Sequence, residues 1–188
     1  THLALKTELS DKQSDMLSKI QSASSLLMGI LNDILDFSKI EAGGIHLERT
    51  SFNMKYMVDN VLSMFHDKAQ ENELILSVDY SDLFSYHYLG DPLRISQVLT
   101  NLVSNAMKFT SKGAVRLRIS SLNSQYIKFE VQDSGIGLRE EAIKTLFEEF
   151  VQADMSTSRK YGGTGLGLSI SKNLVEKMGG TLSVKSEL

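Results

Sequence analysis

Glycines crowd one short stretch of this chain, where their spacing could support chemistry on phosphate groups. Four of the six residues from Gly162 to Gly167 are glycine, and an apolar helical pattern follows directly. Glycine at this density is unfavourable unless the backbone must adopt positive φ or another group must approach closely. A glycine-rich loop that opens a helix presents unpaired N–H groups at the positive end of the helix dipole, which is a phosphate site. Taken alone, the stretch could also be a flexible hinge before an ordinary helix.

A second glycine motif, from Asp133 to Gly137, places a carboxylate beside a tight turn. It directly follows the alternating run 126–132, which predicts a strand. The acid precedes the glycines, whereas a dinucleotide-binding motif has its glycines first and an acid about 20 residues later. The glycines are not followed by Gly-Lys-Ser/Thr, so a Walker-type phosphate loop is also excluded.

A helix predicted to begin at Asp91 carries a third set of polar residues. Asp91 can cap this helix, and Pro92 suits its first turn because a missing N–H costs nothing there. Asn101, Asn105 and Lys108 fall at i, i+4 and i+7 and therefore share one face. This face is either solvated surface or a source of an amide oxygen for Mg²⁺ and a lysine for phosphate. The glycine motifs elsewhere favour the second interpretation.

These motifs need elements that position them, and the first element along the chain is a long amphipathic helix. Ser10 and Gln13 form a capping-box pattern, and the pair Gly43-Gly44 supplies the stop. An apolar stripe with strict 4-3 spacing comprises Met16, Ile20, Ala23, Leu27, Ile30, Ile34 and Phe37. A helix of about 30 residues spans roughly 45 Å, more than a domain of this size covers. The heptad spacing favours a helical bundle completed by a second chain, and the alternative is an intramolecular helix packed on the core.

After a boundary at Gly43-Gly44, the pattern predicts a mixed α/β domain. Strands are predicted at 45–49, 73–79, 87–89, 114–120, 125–132 and from 181 to 186, and helices from a cap at Asn53 to Ala69, from Asp91, and near 139–147 and 166–178. This order suits a two-layer α/β sandwich that holds a nucleotide between its helices and over one face of the sheet.

Composition restricts the function classes further. The chain has 188 residues, 41% hydrophobic and 23% charged, enough for one compact domain plus a helical appendage. A net charge of −3 gives no reason to expect nucleic acid as a partner. The absence of cysteine excludes disulfides and thiolate zinc sites. The sequence shows neither a signal peptide nor an apolar run long enough to cross a bilayer.

Together these blocks resemble the ATP-binding domain of sensor histidine kinases, within the wider superfamily of gyrase, mismatch-repair and heat-shock chaperone ATPases. Residues Asn101 to Thr110 resemble the N box of that family, and Asp133 to Gly137 its G1 box. Residues Phe147 to Phe150 resemble the F box, and Gly163 to Gly167 the G2 box. The run Asn32 to Gly43 resembles the second dimerisation helix of hybrid-type kinases.

The resemblance covers nearly the whole chain and implies its organisation. We expect an α/β fold, more closely an α+β two-layer sandwich ATP-binding domain, preceded by a long helical-hairpin dimerisation segment. Residues 1–43 would hold the end of a first dimerisation helix and a complete second one. Residues 44–188 would form the ATP-binding domain, with its last strand truncated.

The resemblance also implies a role for each site residue. Asp133 would accept the exocyclic amine of adenine, or alternatively only cap a turn, while Gly135 and Gly137 let the backbone lie against the purine. Asn105 would give its side-chain oxygen to Mg²⁺ and Lys108 would neutralise phosphate charge. The expected cofactors are ATP and Mg²⁺, with Asn105 as metal ligand, and the expected binding set is Asn101, Asn105, Lys108, Phe109, Asp133, Gly135, Gly137, Arg159, Lys160, Gly163, Thr164, Gly165, Leu166 and Gly167. Phe109 packs either near the adenine or in the core.

The segment 151–161 is polar, as a mobile cover over the nucleotide would be. Arg159 and Lys160 either reach the terminal phosphate or are solvated surface residues. Many family members have an arginine two residues after the F-box phenylalanine, but this chain has Gln152 there. The identity of a phosphate-contacting cation in this segment therefore stays open.

The residue at position 101 bears on the reaction. Water-activating relatives carry a glutamate one turn before the magnesium-binding asparagine, whereas Asn101 cannot take a proton at neutral pH. Transfer to a protein nucleophile is therefore favoured over hydrolysis, and the resemblance implies a histidine on the first dimerisation helix. The motif around that histidine is missing here, because the only proline is Pro92 and no histidine has suitable neighbours (the four are His2, His46, His66 and His87). We expect the acceptor upstream of Thr1 and no catalytic residue within the chain.

The sequence thus predicts the ATP-binding catalytic part of a sensor histidine kinase, a protein kinase that would not autophosphorylate as this fragment alone. Its expected partners are a second copy, through the N-terminal helices, and a response-regulator receiver domain. A cytoplasmic location is expected, with membrane attachment only through upstream segments. Three alternatives remain: a degenerate ATP-binding scaffold, an ATP-hydrolysing relative, which Asn101 opposes, and a pure dimerisation scaffold, which the nucleotide boxes oppose.

Overall fold

The computed structural model describes residues 3–81, 87–123, 125–149, 151 and 165–187. The chain divides into two compact units, Thr1–Gly44 and Ile45–Leu188. Within the described ranges, no helix combines the length and the apolarity that crossing a bilayer requires.

The first unit consists of one short 3-10 helix, Ala4–Lys6, and the long helix α1, Asp11–Glu41. The predicted capping box starts α1, since Ser10 Oγ accepts from the Gln13 N–H at 3.4 Å and Gln13 Oε1 accepts from the Ser10 N–H at 2.9 Å. Gly43 ends the helix at φ +67°, a left-handed conformation that favours glycine. Local chemistry alone therefore sets both ends of α1.

Where the sequence predicts the end of a first dimerisation helix, the described residues begin with one 3-10 turn. Thr7 donates both its N–H and its hydroxyl to the Ala4 carbonyl, at 3.1 and 2.7 Å. These two hydrogen bonds end the 3-10 helix after a single turn.

The apolar stripe of α1 is exposed in the single chain. Met16 is 51% exposed, Leu27 64% and Ile34 49%. Burial of large apolar side chains is favourable, so such exposure is unfavourable. A helix with such a stripe needs another surface to cover it.

The second unit contains two sheets among its described residues. A two-stranded antiparallel sheet pairs β1, Thr50–Asn53, with β3, His87–Gly90. A three-stranded sheet has the order β2-β4-β5, with β2 at Leu74–Tyr80, β4 at Gly113–Ser121 and β5 at Ile127–Asp133. Strand β2 runs parallel to β4, while β4 and β5 form an antiparallel hairpin. The predicted hairpin is confirmed, with Leu117 opposite Val131.

Five helices are described in this unit: α2 at Met54–Ser63, α3 at His66–Glu71, α4 at Pro92–Phe109, α5 at Glu140–Thr145 and α6 at Gly167–Lys177. The predicted caps start two of them. Asn53 Oδ1 accepts from the Tyr56 N–H at 2.9 Å, and Asp91 Oδ1 accepts from the Arg94 N–H at 3.0 Å.

The core lies between the helices and one face of the three-stranded sheet. Alternate residues of β4 face inward and are fully buried, whereas Arg116 and Arg118 face outward in exposed ion pairs with neighbouring strands. The core cluster combines residues of α2, α3, α4, β2 and β4: Met54, Met57, Val58, Val61, Leu62, Ala69, Leu74, Leu99, Val103, Ala106, Met107, Val115, Leu117 and Ile119. This arrangement is the predicted two-layer sandwich, because one sheet face packs on helices and the other meets solvent.

The predicted strand at 45–49 is wrong, since the strand begins only at Thr50. The ladder ends where Thr50 faces Gly90, because the next residue of the partner strand is the helix cap Asp91. The Glu48 N–H therefore goes to Asp91 Oδ2, at 3.1 Å, instead of to a backbone carbonyl.

Two further elements differ from the prediction. The helix predicted from Asn53 to Ala69 is two helices, because the N–H groups of Met64 and Phe65 bond to carbonyls three residues back and close α2. Residues 181–187 are not a strand, and their described hydrogen bond is through a side chain, with the Leu138 N–H donating to Ser186 Oγ at 2.8 Å. A strand requires a backbone ladder, which this segment lacks among the described residues.

Candidate nucleotide-binding site

Helix α4 positions the polar residues predicted for metal and phosphate binding. Its buried side is apolar (Val98, Leu99, Val103, Ala106 and Met107). The helical period then places Asn101, Asn105 and Lys108 on another face, where each is half-buried. Packing of the apolar side on the core thus fixes the direction of the polar face.

Asn101 joins two other side chains of this region. Its Nδ2 donates to Ser171 Oγ on α6 at 2.8 Å, and its Oδ1 accepts from Asn105 Nδ2 at 3.3 Å. Ser171 is 2% exposed. Sequence reasoning missed Ser171, although a serine beside Ile170 and Leu174 on the apolar face of the predicted helix was a signal that a buried partner exists.

The first turn of α6 packs directly against Asn101. A Cβ added at Gly167 would lie 2.6 Å from Asn101 Oδ1, so glycine is required for this close approach. Gly165 has φ +73° and Leu166 is buried. Among the predicted residues of the G2 loop and the segment before it, Arg159, Lys160, Gly163 and Thr164 lie outside the described residues.

Asp133 stands at the end of β5 and starts the second glycine turn. Its Oδ1 accepts from the Gly135 N–H at 2.9 Å, so the turn-cap role that the sequence left open is present. The side chain is exposed, and a carboxylate has a second oxygen that can accept another hydrogen bond. The turn role therefore leaves room for a ligand contact.

The glycine turn packs on the end of α4. A Cβ at Gly135 would lie 2.6 Å from the Phe109 carbonyl oxygen, and the Ile136 N–H points to the same oxygen at 3.4 Å. Gly137 has φ +68°, which a side chain would strain. Helix α4 thus meets the Asp133 turn at its C-terminal end and α6 nearer its middle.

Phe109 lies at the surface of the unit. The residue is 36% exposed, and Lys108 Nζ lies 5.1 Å from the ring centroid. Phe109 is therefore not part of the buried core, and its placement near the adenine stays a prediction.

The ammonium of Lys108 is held where its charge is unfavourable. Burial, and then the positive charge of Lys68, lower the pKa of Lys108 below its ordinary value of 10.5. A phosphate beside this group would place a negative charge next to the ammonium, and a lysine with a perturbed pKa is typical of a binding site.

Replacing Lys108 with methionine should therefore weaken ATP binding and make the folded chain more stable. Between the lowered folded pKa and the unfolded pKa, the unfolded state binds more protons, so the stability of the wild-type chain rises with pH in that window. Lys108→Met should exceed wild type in free energy of unfolding at pH 7, and the difference should shrink as the pH approaches 10.5. Loss of a charge-assisted contact should weaken ATP binding by about tenfold. Urea denaturation at several pH values and calorimetry with ATP measure both effects, and a less stable variant at pH 7 would contradict the unfavourable charge.

The oxygen donors near α4 suit Mg²⁺, which protein side chains hold together with phosphates and water, better than a metal ion that side chains alone must hold. Within the described ranges, no three histidine or carboxylate side chains are grouped so as to hold a metal ion. Mg²⁺ commonly takes one or two protein oxygens and completes its shell with phosphates and water. Asn105 fits as that ligand, because its Nδ2 donates to Asn101 and its amide oxygen is left as the acceptor.

Comparison with known proteins shows the family to which the chain is similar. Residues 90–188, which are 99 of the 188 residues, match the family described as histidine kinase-, DNA gyrase B-, and HSP90-like ATPase. The chain is 44% identical to the sensor histidine kinase GacS of Pseudomonas protegens over 99% of its own length, and 43% identical to the signal transduction histidine-protein kinase BarA of Escherichia coli over 100%. It spans 21% of the length of each of these two relatives.

One solved structure extends the similarity to the fold. The crystal structure of full-length ShkA in complex with AMPPNP matches 98% of this chain and 38% of that protein, with a TM-score of 0.82 and 30% sequence identity. The family match covers more than half of the chain, and it contains α4, the Asp133 turn and α6. The chain therefore belongs to the histidine kinase-, DNA gyrase B- and HSP90-like ATPase family.

Proposed function

We propose that this chain binds Mg-ATP and is the catalytic part of a sensor histidine kinase, which transfers the terminal phosphate to a histidine outside these 188 residues. The observation that carries the proposal is the packing around α4. The Asp133 turn contacts its C-terminal end through Gly135, and the first turn of α6 contacts Asn101 through Gly167. Both glycine motifs thereby meet the one helix that bears Asn105 and Lys108.

Each residue of this arrangement has a role in binding the nucleotide. Asp133 accepts the exocyclic amine of adenine through the oxygen that the turn does not use. Asn105 Oδ1 holds Mg²⁺, and Lys108 neutralises phosphate charge. A Mg²⁺ ion held by Asn105 would supply positive charge that offsets the charge developing on the phosphate during transfer. The N–H groups at Gly165 and Gly167 are placed at the start of α6, where an anion is favoured.

The surroundings of Asn101 favour transfer to protein over hydrolysis. A water-activating base would have to accept a proton at this position, one turn before Asn105. The Asn101 amide cannot do so, and both of its ends are already engaged by Ser171 and Asn105. Phosphoryl transfer can then proceed by positioning and charge neutralisation alone, once a nucleophile is presented.

The exposed stripe of α1 supports a homodimer through the N-terminal helices. Its apolar side chains recur with the 4-3 spacing of a helical bundle, and they are about half exposed in the single chain. A receiver domain of a response regulator, as the partner that takes the phosphate onward, and a location inside the cell belong to the same proposal. They are supported by the names of the relatives, which are sensor and signal transduction kinases.

Following the terminal phosphate of labelled Mg-ATP tests the proposal. This chain alone should bind Mg-ATP and acquire no phosphohistidine, since none of its four histidines has the family's acceptor surroundings. A longer chain that includes the preceding helix should acquire acid-labile, base-stable label, and the same chain with Asn105→Ala should not. Free phosphate without labelled protein would show a hydrolase, and nucleotide binding with neither product would show an ATP-responsive scaffold.

A further inference from the structure

Two buried serines on α6 differ in what they bind. Ser169 is 3% exposed and its hydroxyl donates to the Leu166 carbonyl at 2.9 Å, within the first turn of its own helix. Ser171 is 2% exposed, and its hydroxyl oxygen accepts from Asn101 Nδ2, 70 residues away in the sequence, at 2.8 Å. Of these two serines, Ser171 is the one bonded to the polar face of α4.

The hydrogen bond that Asn101 Nδ2 donates to Ser171 Oγ goes with one orientation of the Asn101 amide, the one with its oxygen toward Asn105. An asparagine amide has a donor end and an acceptor end of nearly the same shape, so its hydrogen-bond partners select the orientation. With Nδ2 bound to Ser171, the oxygen of Asn101 faces Asn105 and accepts from its Nδ2 at 3.3 Å. The donor end of Asn105 is thereby taken up inside the protein.

We infer that Ser171 is a positioning residue for the metal ligand Asn105 and acts on it through Asn101. This inference rests on the proposed Mg-ATP function. If the Asn105 amide were reversed, it would present N–H groups to a cation and lose its one useful oxygen. The two hydrogen bonds that link Ser171, Asn101 and Asn105 keep the Asn105 amide oxygen turned away from Asn101. They also tie the metal ligand to the helix that follows the G2 glycines.

The test compares Ser171→Ala with the matched control Ser169→Ala in the full 188-residue chain. Both changes remove one hydroxyl from a buried position of the same helix. ATP affinity is measured by calorimetry, once with Mg²⁺ and once with a chelator. The ratio of the first affinity to the second measures how much the metal strengthens binding. Ser171→Ala should lower this ratio by about 3- to 10-fold, the value of one buried hydrogen bond, whereas Ser169→Ala should leave it unchanged.

Two further measurements separate positioning from a merely structural role. In an Asn105→Ala background, Ser171→Ala should have no further effect on the ratio, because the group it positions is gone. In the NMR spectrum of the nucleotide-free and metal-free chain, the Asn105 side-chain NH₂ resonances should shift in Ser171→Ala and stay in place in Ser169→Ala. If Ser171→Ala does not fold, Ser171→Cys replaces it, since a thiol is a weak acceptor of similar shape.

Equal ratios for the two serine variants would overturn the inference, as would a Ser171→Ala effect that persists undiminished without Asn105. If the wild-type chain shows no metal-dependent ATP binding, the proposed function fails. The NMR comparison then still decides whether Ser171 orients Asn105.

Discussion

Asp133→Asn should lower the affinity for ATP by about 100-fold, the loss expected when a charged hydrogen-bond acceptor in a binding site is neutralised. The Asp133 side chain holds the Gly135 N–H with one oxygen, at 2.9 Å. An asparagine would keep its oxygen on that N–H and turn its NH₂ toward the base. Two donors, the amide and the adenine amine, would then face each other.

The same variant should change which base is preferred. Inosine triphosphate carries a carbonyl where ATP carries its amine, so wild-type Asp133 should reject it and Asp133→Asn should accept it comparatively well. Calorimetry with both nucleotides measures the change. Asp79→Asn is the matched control, because Asp79 is an exposed aspartate of the same sheet whose described contact is an ion pair with Arg116 at 3.5 Å; exposed pairs contribute little. Unchanged ATP affinity in Asp133→Asn would remove Asp133 from the site.

Gly135→Ala should destabilise the second unit and abolish ATP binding together. The added Cβ would lie 2.6 Å from the Phe109 carbonyl oxygen and 2.7 Å from Asp133 Oδ1, and the first of these is backbone that cannot rotate away. The turn must move off the end of α4, which overpacking data suggest costs about 1–3 kcal/mol in free energy of unfolding. That movement would also displace Asp133 from its proposed contact with the adenine. Urea denaturation and nucleotide calorimetry measure the two effects.

Gly90→Ala provides the control for the size of the added methyl group. A Cβ at Gly90 would meet its nearest atom, on the Phe52 ring, at an ordinary contact distance of 3.5 Å. We expect a change in stability within about 0.5 kcal/mol, typical of substitutions without a special environment. If Gly135→Ala binds ATP like wild type, the contact between the glycine turn and α4 is not needed for the site.

Elements set by local chemistry could be predicted from the sequence. The capping box at Ser10 and Gln13 and the cap at Asp91 depend on residues three positions apart, and the hairpin joins two strands that are neighbours in the sequence; all three are present. The two-layer arrangement followed from the same patterns. The family also followed, because four blocks occur in a fixed order along the chain.

Elements that depend on a distant partner could not be predicted. Residues 45–49 have the composition of a strand, but the ladder stops at Gly90 because Asp91 begins a helix. Ser171 gains its role from an amide 70 residues away, which no local pattern encodes. The roles of the site residues stay predictions. Arg159 and Lys160 lie outside the described residues, so their positions stay predictions as well.

One carboxylate, that of Asp91, links the beginning of the second unit to the start of α4. Asp91 holds the first turn of α4 with one oxygen and the Glu48 N–H with the other, at 3.0 and 3.1 Å, while being only 5% exposed. A displacement of the chain at Glu48 therefore pulls on the same side chain that fixes the start of α4. The start of the second unit and the start of the helix that carries Asn105 and Lys108 therefore share one anchoring side chain.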